Sequence, residues 1–196
     1  MILRCATTNA GKLQEFHLAA PHYGFPEIDI QAIEGLASIE PCEEDGDTFE
    51  ANAVKKALYY SRFTAEPVFA DDSGLEVDAL DGAPGVLSAR YSPEGTDEEN
   101  NRLLLKNLEG MDDRIARFVC VIALAQQGEL LGTFRGEVEG FLLEEPHGSG
   151  GFGYDPLFFY PPFDCTFGEA SAARKMAVSH RGEAVKALLQ FASDTL

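Results

Sequence analysis

Arg117-Phe-Val-Cys-Val-Ile-Ala-Leu-Ala125, the link Gln126-Gln-Gly-Glu129, and Leu130-Leu-Gly-Thr-Phe-Arg-Gly-Glu-Val-Glu-Gly-Phe141 form the stretch on which the fold turns. Two long apolar-patterned segments joined by a short Gly-containing link predict a β-hairpin in the centre of the chain. Working outward, Ile2 to Ala6 reads as a short buried strand, and Leu13, Phe16, His17 and Ala20 follow at helical spacing with Asn9 as N-cap. A strand around Ile28 to Ala32 precedes an acidic loop, Glu40 to Asp47, and a helix from about Thr48 to Ser61, for which Asp47 and Glu50 resemble a capping pair. Pro67 to Ala70 is a short strand. Thr96 and Glu99 form a capping box before a helix that carries Leu103, Leu104 and Leu108 on one face. At the far end Ser179 caps a helix with the apolar stripe Ala184, Val185, Leu188, Leu189 and Ala192. Helices alternating with strands around one central hairpin predict an α/β fold with a sheet of mixed direction. No repeat, low-complexity tract or linker interrupts the pattern, so one domain spanning 1–196 is expected.

Composition narrows the functions. Of 196 residues, 33 are Asp or Glu and 15 are Lys or Arg, a formal charge of −18 that repels the backbone of DNA or RNA. The expected partner is therefore a small molecule and not a nucleic-acid polymer. A small anion remains acceptable if the few cations converge on one pocket or a divalent cation lies between ligand and carboxylates. Cys5, Cys42, Cys120 and Cys165 stand far apart with no zinc-ligand spacing and read as reduced structural thiols. No apolar run reaches the roughly 20 residues of a membrane helix, and the start lacks a basic region followed by a long apolar stretch. A cytoplasmic protein without a membrane partner is the expectation.

Five segments can carry chemistry. Thr7-Thr8-Asn9-Ala10-Gly11-Lys12 lies where a strand gives way to a helix, so backbone N–H groups, the helix dipole and Lys12 can all face one anion. A capping turn with a surface Lys would have the same composition, and the run is not a Walker loop. Asp71-Asp72-Ser73-Gly74 places two carboxylates at a strand end. Alternation sends them to opposite faces, so one of them can hold Mg²⁺ and activate a water, while the same letters are also ordinary turn material. The acidic loop with Glu43 either supplies a second metal ligand or is simply solvated. Gly148-Ser-Gly-Gly-Phe-Gly-Tyr-Asp-Pro156 sets four glycines around Phe152 and Tyr154, an arrangement that can lay an aromatic ring on a flat base or pack its own rings. Ser179-His180-Arg181-Gly182 puts two side chains able to carry positive charge in the first turn of a helix, where the dipole disfavours it, and paired donors there suit a carbonyl-bearing purine edge. Lys56 and Lys175 can each reach a phosphate or sit in water.

Read in order, these segments resemble the inosine triphosphate pyrophosphatase family. The likeness runs through Ala6 to Lys12, Thr48-Phe-Glu-Ala-Asn-Ala53 with Lys56, Ala70 to Leu75, Gly82-Ala-Pro-Gly85 with Ser88 to Ser92, Gly150 to Pro156, and Ser179 to Gly182. The resemblance implies Mg²⁺-dependent hydrolysis of ITP, dITP and XTP to a monophosphate and pyrophosphate. It implies an elongated two-lobed α/β fold around a long mixed sheet with flanking helices, a cleft between lobes that holds the active site, and a homodimer. Residue by residue, Asp72 would be the catalytic carboxylate and a metal ligand with Glu43. Thr7, Thr8, Asn9, Ala10, Gly11, Lys12 and Lys56 would meet the triphosphate, and Ser73 would touch the substrate. Phe152, Gly153, Tyr154 and Asp155 would enclose the base, with Lys175, His180 and Arg181 completing recognition. Two positions depart from the family pattern: Thr8 stands where Gly is common, and Glu50 precedes the usual acidic place, which Ala51 occupies. A Maf-like pyrophosphatase of other base preference and a non-catalytic nucleotide sensor are the rival readings.

Overall fold

Ile2–Cys5 (β1) opens the chain, and Ala10–Tyr23 (α1) follows at once because the Asn9 side chain accepts the Lys12 N–H and caps the helix. The computed structural model describes every residue, Met1–Leu196. Asp29–Ala32 (β2) lies parallel to β1, and Phe49–Tyr60 (α2) leads into Val68–Val77 (β3), which lies parallel to the other side of β1. Asp97–Asn107 (α3) precedes the predicted hairpin, Ile115–Gln126 (β4) and Glu129–Leu142 (β5). Gln127 and Gly128 close it with φ of 52° and 85°, the two positive values that a two-residue hairpin loop requires. Phe158–Tyr160 (β6) pairs antiparallel with β5 and with Cys165–Thr166 (β7). Ala172–Met176 (α4) and His180–Thr195 (α5) complete the chain. The seven strands form one sheet in the order β2-β1-β3-β4-β5-β6-β7, the mixed α/β architecture expected of the sequence.

The chain divides into two compact units. The first comprises Met1–Asp72, Cys120–Gly136 and His180–Leu196, and the second Ser73–Val119 and Glu137–Ser179. In the first, α1 packs on α5, whose predicted stripe of Ala184, Val185, Leu188, Leu189 and Ala192 is wholly buried. The second has its own core of Leu75, Leu104, Phe118, Tyr154, Leu157, Phe158 and Phe167. All four cysteines are free.

Three local expectations are corrected. On α1 the buried face is Phe16, Ala19 and Ala20, while His17 is exposed. Thr48, not Asp47, caps α2: its hydroxyl accepts the Ala51 N–H at 3.1 Å, and Asp47 lies outside the helix, exposed. The strand expected to end at Ala70 runs on to Val77. Gly74 looked like a turn residue, yet its missing side chain serves close packing, because a Cβ there would lie 2.3 Å from Ser88 Oγ and 2.5 Å from the Gly85 carbonyl oxygen.

Candidate active site

Alternation along β3 sends Asp71 and Asp72 to opposite faces, and the first unit builds a different environment on each. Asp71 Oδ2 is 2.8 Å from Lys12 Nζ and 3.5 Å from an Arg181 terminal nitrogen, while the other terminal nitrogen of Arg181 is 2.6 Å from Glu15 Oε2. Lys12 and Glu15 stand three residues apart on α1 and so share a side of it. Burial works against ionisation of Asp71, but the charge of Lys12, then those of Arg181 and Lys56, outweighs it and holds the carboxyl well below the usual range. Arg181, 2% exposed, is driven up by Glu15 and Asp71 against the pull of burial, so its charge is permanent.

On the other face Asp72 Oδ2 accepts from Asn52 Nδ2 at 3.0 Å and Oδ1 lies 3.5 Å from Lys56 Nζ. Asn52 and Lys56 are four residues apart on the buried face of α2, which explains why one helix supplies both contacts. Burial raises the Asp72 pKa, and Lys56 and the Asn52 hydrogen bond only partly offset it. The result is a carboxyl that takes up a proton more readily than a solvated one, the property of a general base. Asn52 also exchanges hydrogen bonds with both polar groups of Gly46, tying the acidic loop to the helix. From that loop Glu44 Oε2 reaches Lys56 Nζ at 3.3 Å, whereas Glu43 is exposed and only 4.0 Å from Lys55. Glu50 meets the Thr133 hydroxyl at 3.1 Å.

No three His, Cys, Asp or Glu side chains converge as a ready metal cage. Asp72 and Glu44 nonetheless share one ammonium, a pair of hard oxygen donors on a common charge. That donor set fits Mg²⁺, which is held by one or two carboxylates together with substrate phosphates and seldom by an all-protein cage.

The strand-to-helix segment of the first unit leaves Thr8, Asn9 and Ala10 exposed and Thr7 and Gly11 partly so, with the Asn9 N–H donated to Thr7 Oγ1. His180, also buried, begins α5, and a Cβ on Gly136 would sit 2.2 Å from its carbonyl oxygen. In the second unit Ser73 is partly buried, and Asp155 Oδ2 lies 2.5 Å from Lys175 Nζ and accepts the Phe152 N–H at 2.9 Å. Lys175 Nζ stands 5.0 Å from the centroid of the half-buried Phe152 ring. Tyr154 belongs to the core: it is 4% exposed and its hydroxyl donates to the Ser88 carbonyl at 2.8 Å. Its ring is therefore not presented to a base, which corrects that part of the expectation. Gly153 is gripped from α3 by Asp97 and Asn101.

The sequence alone does not single out Glu15, Asn52, Asp97 or Asn101, and Glu44 stands in it only as one acid of the loop that can supply a second metal ligand. For Asn52 a signal existed, a polar residue four before Lys56 among the buried Phe49, Ala53 and Ala57.

Comparison with known proteins finds a likeness over nearly the whole chain. Residues 3–191 match the model of the Ham1 family. The chain is 47% identical over 193 residues to a dITP/XTP pyrophosphatase of Desulforamulus reducens, covering 97% of this chain and 94% of that one. It is 50% identical over 186 residues to a dITP/XTP pyrophosphatase of Geobacter sulfurreducens, covering 93% and 92%. Its structure superposes on that of the Staphylococcus aureus Ham1 protein with a TM-score of 0.86 at 37% identity, covering 100% of both.

Proposed function

The chain belongs to the Ham1 family, and from that premise we propose that it is a pyrophosphatase of non-canonical purine nucleoside triphosphates, cleaving ITP, dITP and XTP to a nucleoside monophosphate and pyrophosphate. One observation carries the chemistry: Asp72 is buried, inclined to accept a proton, and fixed by Asn52 and Lys56. It takes the proton of the water that attacks the α-phosphorus. The charge of Lys56 favours the ionised form of Asp72 and partly offsets the cost of burial.

Asp72 and Glu44 are the ligands proposed for Mg²⁺, with Glu43 the neighbouring acid of the same loop. When bound, the ion would neutralise phosphate charge and lower the pKa of water. Thr7 to Gly11 offer backbone N–H groups and a helix N-terminus to the triphosphate. Lys12, already anchored on Asp71, adds a fixed cation there.

Base choice is assigned to the second unit's Phe152, as a stacking platform, and to Lys175 of the same unit, as a donor toward the 6-keto oxygen of hypoxanthine or xanthine; His180 of the first unit is proposed as a further recognition residue. Adenine presents an amino group at that place, and a buried donor facing a donor can discriminate by about 10⁴. Arg181 acts chiefly through Asp71, since both of its terminal nitrogens face carboxylates. A cytoplasmic homodimer completes the reading; no helix is long and apolar enough to cross a membrane.

The test is a pyrophosphate-release screen over ITP, dITP, XTP and the four common triphosphates, with and without Mg²⁺. Release from the deaminated purines alone, lost by more than about 10³ in Asp72→Asn with nucleotide binding retained, is expected. Wild-type rates in Asp72→Asn would remove Asp72 from its role. Turnover of pyrimidine nucleotides instead would favour the Maf-like reading, and binding without turnover would favour a sensor.

A further inference from the structure

Gly153 is the residue after Phe152, and both of its backbone polar groups are taken by one helix. Its N–H is donated to Asp97 Oδ2 at 2.6 Å, and its carbonyl accepts from Asn101 Nδ2 at 2.9 Å. Asp97 and Asn101 are four residues apart on α3, hence on one side of it, and they close on the Gly153 residue like two jaws. Gly153 has φ of 62°, a conformation open to glycine without strain, so the loop can turn into the jaws at this point and not at a residue with a side chain. Asp155 in turn accepts the Phe152 N–H and holds Lys175. Phe152 is thus held at its own amide and at the next residue's N–H and carbonyl, and the backbone on both sides of its Cα is set.

Asn101 makes this contact at a cost. Its Oδ1 is buried and accepts no hydrogen bond, an arrangement that stability alone does not favour. The bond it donates to Gly153 is its one visible return.

We propose that Asp97 and Asn101 are positioning residues, a two-point clamp from α3 that presents the Phe152 ring to the nucleobase of the substrate. The proposal deepens the reading of Phe152 as the stacking platform and rests on it. A pre-set ring spares the substrate the entropy of ordering a glycine-rich loop. Loosening the clamp therefore weakens binding of the base and leaves the chemistry at Asp72 intact.

The chain contains no Trp, so Phe152→Trp creates a single fluorescent reporter in the loop itself. In that background, added Asn101→Leu or Asp97→Ala should increase the fast component of the indole anisotropy decay without nucleotide present. In the Phe152 enzyme the same substitutions should raise KM for ITP about tenfold while kcat stays within about twofold. Asp97→Asn, whose amide oxygen can still accept the Gly153 N–H, should restore most of the loss. Asn107→Ala deletes a different α3 hydrogen bond, to the Tyr91 hydroxyl, and should move neither readout. An unchanged anisotropy decay, or an unchanged KM in an enzyme that turns over ITP, overturns the clamp. So does an equal effect from Asn107→Ala, which would make the contacts merely stabilising. If the wild-type chain released no pyrophosphate from ITP, the functional reading would fall while the anisotropy still judged the clamp.

Discussion

At Asp71 the neighbours are Lys12 and Arg181, and at Asp72 they are Asn52 and Lys56, so adjacent carboxyls of one strand move in opposite directions from their ordinary pKa. Asp71 is set to remain an anion and Asp72 to exchange a proton. The lowered pKa of Asp71 also makes it a contributor to stability. A carboxyl whose folded value lies below its unfolded value stabilises fully above the unfolded pKa, about 4, and loses that contribution as pH falls toward the folded value. Removing one member of a buried, paired set leaves its cations uncompensated, typically at about 3–5 kcal/mol. Asp71→Asn should therefore lower urea-unfolding stability by that order, evenly from pH 8 to pH 5, and the gap to wild type should narrow below about pH 4. A gap that stayed constant down to pH 3 would show that Lys12 and Arg181 do not hold Asp71 ionised.

Among the elements, α5 is docked through a glycine. A Cβ on Gly136 of β5 would lie 2.2 Å from the His180 carbonyl oxygen, 2.7 Å from the Ala184 nitrogen and 2.8 Å from Glu183 Cβ. Two of these are backbone atoms of the helix, so the strand or the helix must move. Gly136→Ala should cost about 1–3 kcal/mol despite the better β propensity of Ala, and should lower Tm by at least about 2 °C. A rise in Tm would mean that the helix start yields freely. The sequence displayed such a glycine without displaying its reason. Periodicity made α3, α5 and the hairpin legible, because their apolar spacing and Gly128 turn are local signals. What was illegible depends on partners distant in sequence. Gly74 looks like a turn until Ser88 is seen against it, and Tyr154 looks like a stacking ring until the Ser88 carbonyl takes its hydroxyl. Asp47 reads as the cap because Glu50 stands three residues on, and only the backbone geometry at Thr48 shows that the cap lies one residue later. At the candidate site the cations Lys12, Lys56, Lys175 and Arg181 and the carboxylates Asp71, Asp72 and Asp155 are readable as residue types, but which cation pairs with which carboxylate, and the part of Glu15, are not.

For the whole molecule the governing quantity is the formal charge of −18. Several of the 15 basic residues are spent on buried pairs, so an exposed surface dominated by acids repels itself at low ionic strength. The Debye length falls from about 30 Å at 0.01 M salt to about 8 Å at 0.15 M, which removes most long-range repulsion between exposed acids. The buried contacts of Asp71 and Asp155 are screened far less. The two effects do not cancel: the destabilising term is the salt-sensitive one. The urea midpoint should accordingly rise between 0.01 and 0.15 M NaCl, with most of the gain reached by 0.15 M, and the same rise should appear with choline chloride, which excludes specific sodium binding. Asp71→Asn should show a parallel rise, displaced downward throughout. A midpoint that fell with salt would mean that surface ion pairs outweigh the net repulsion.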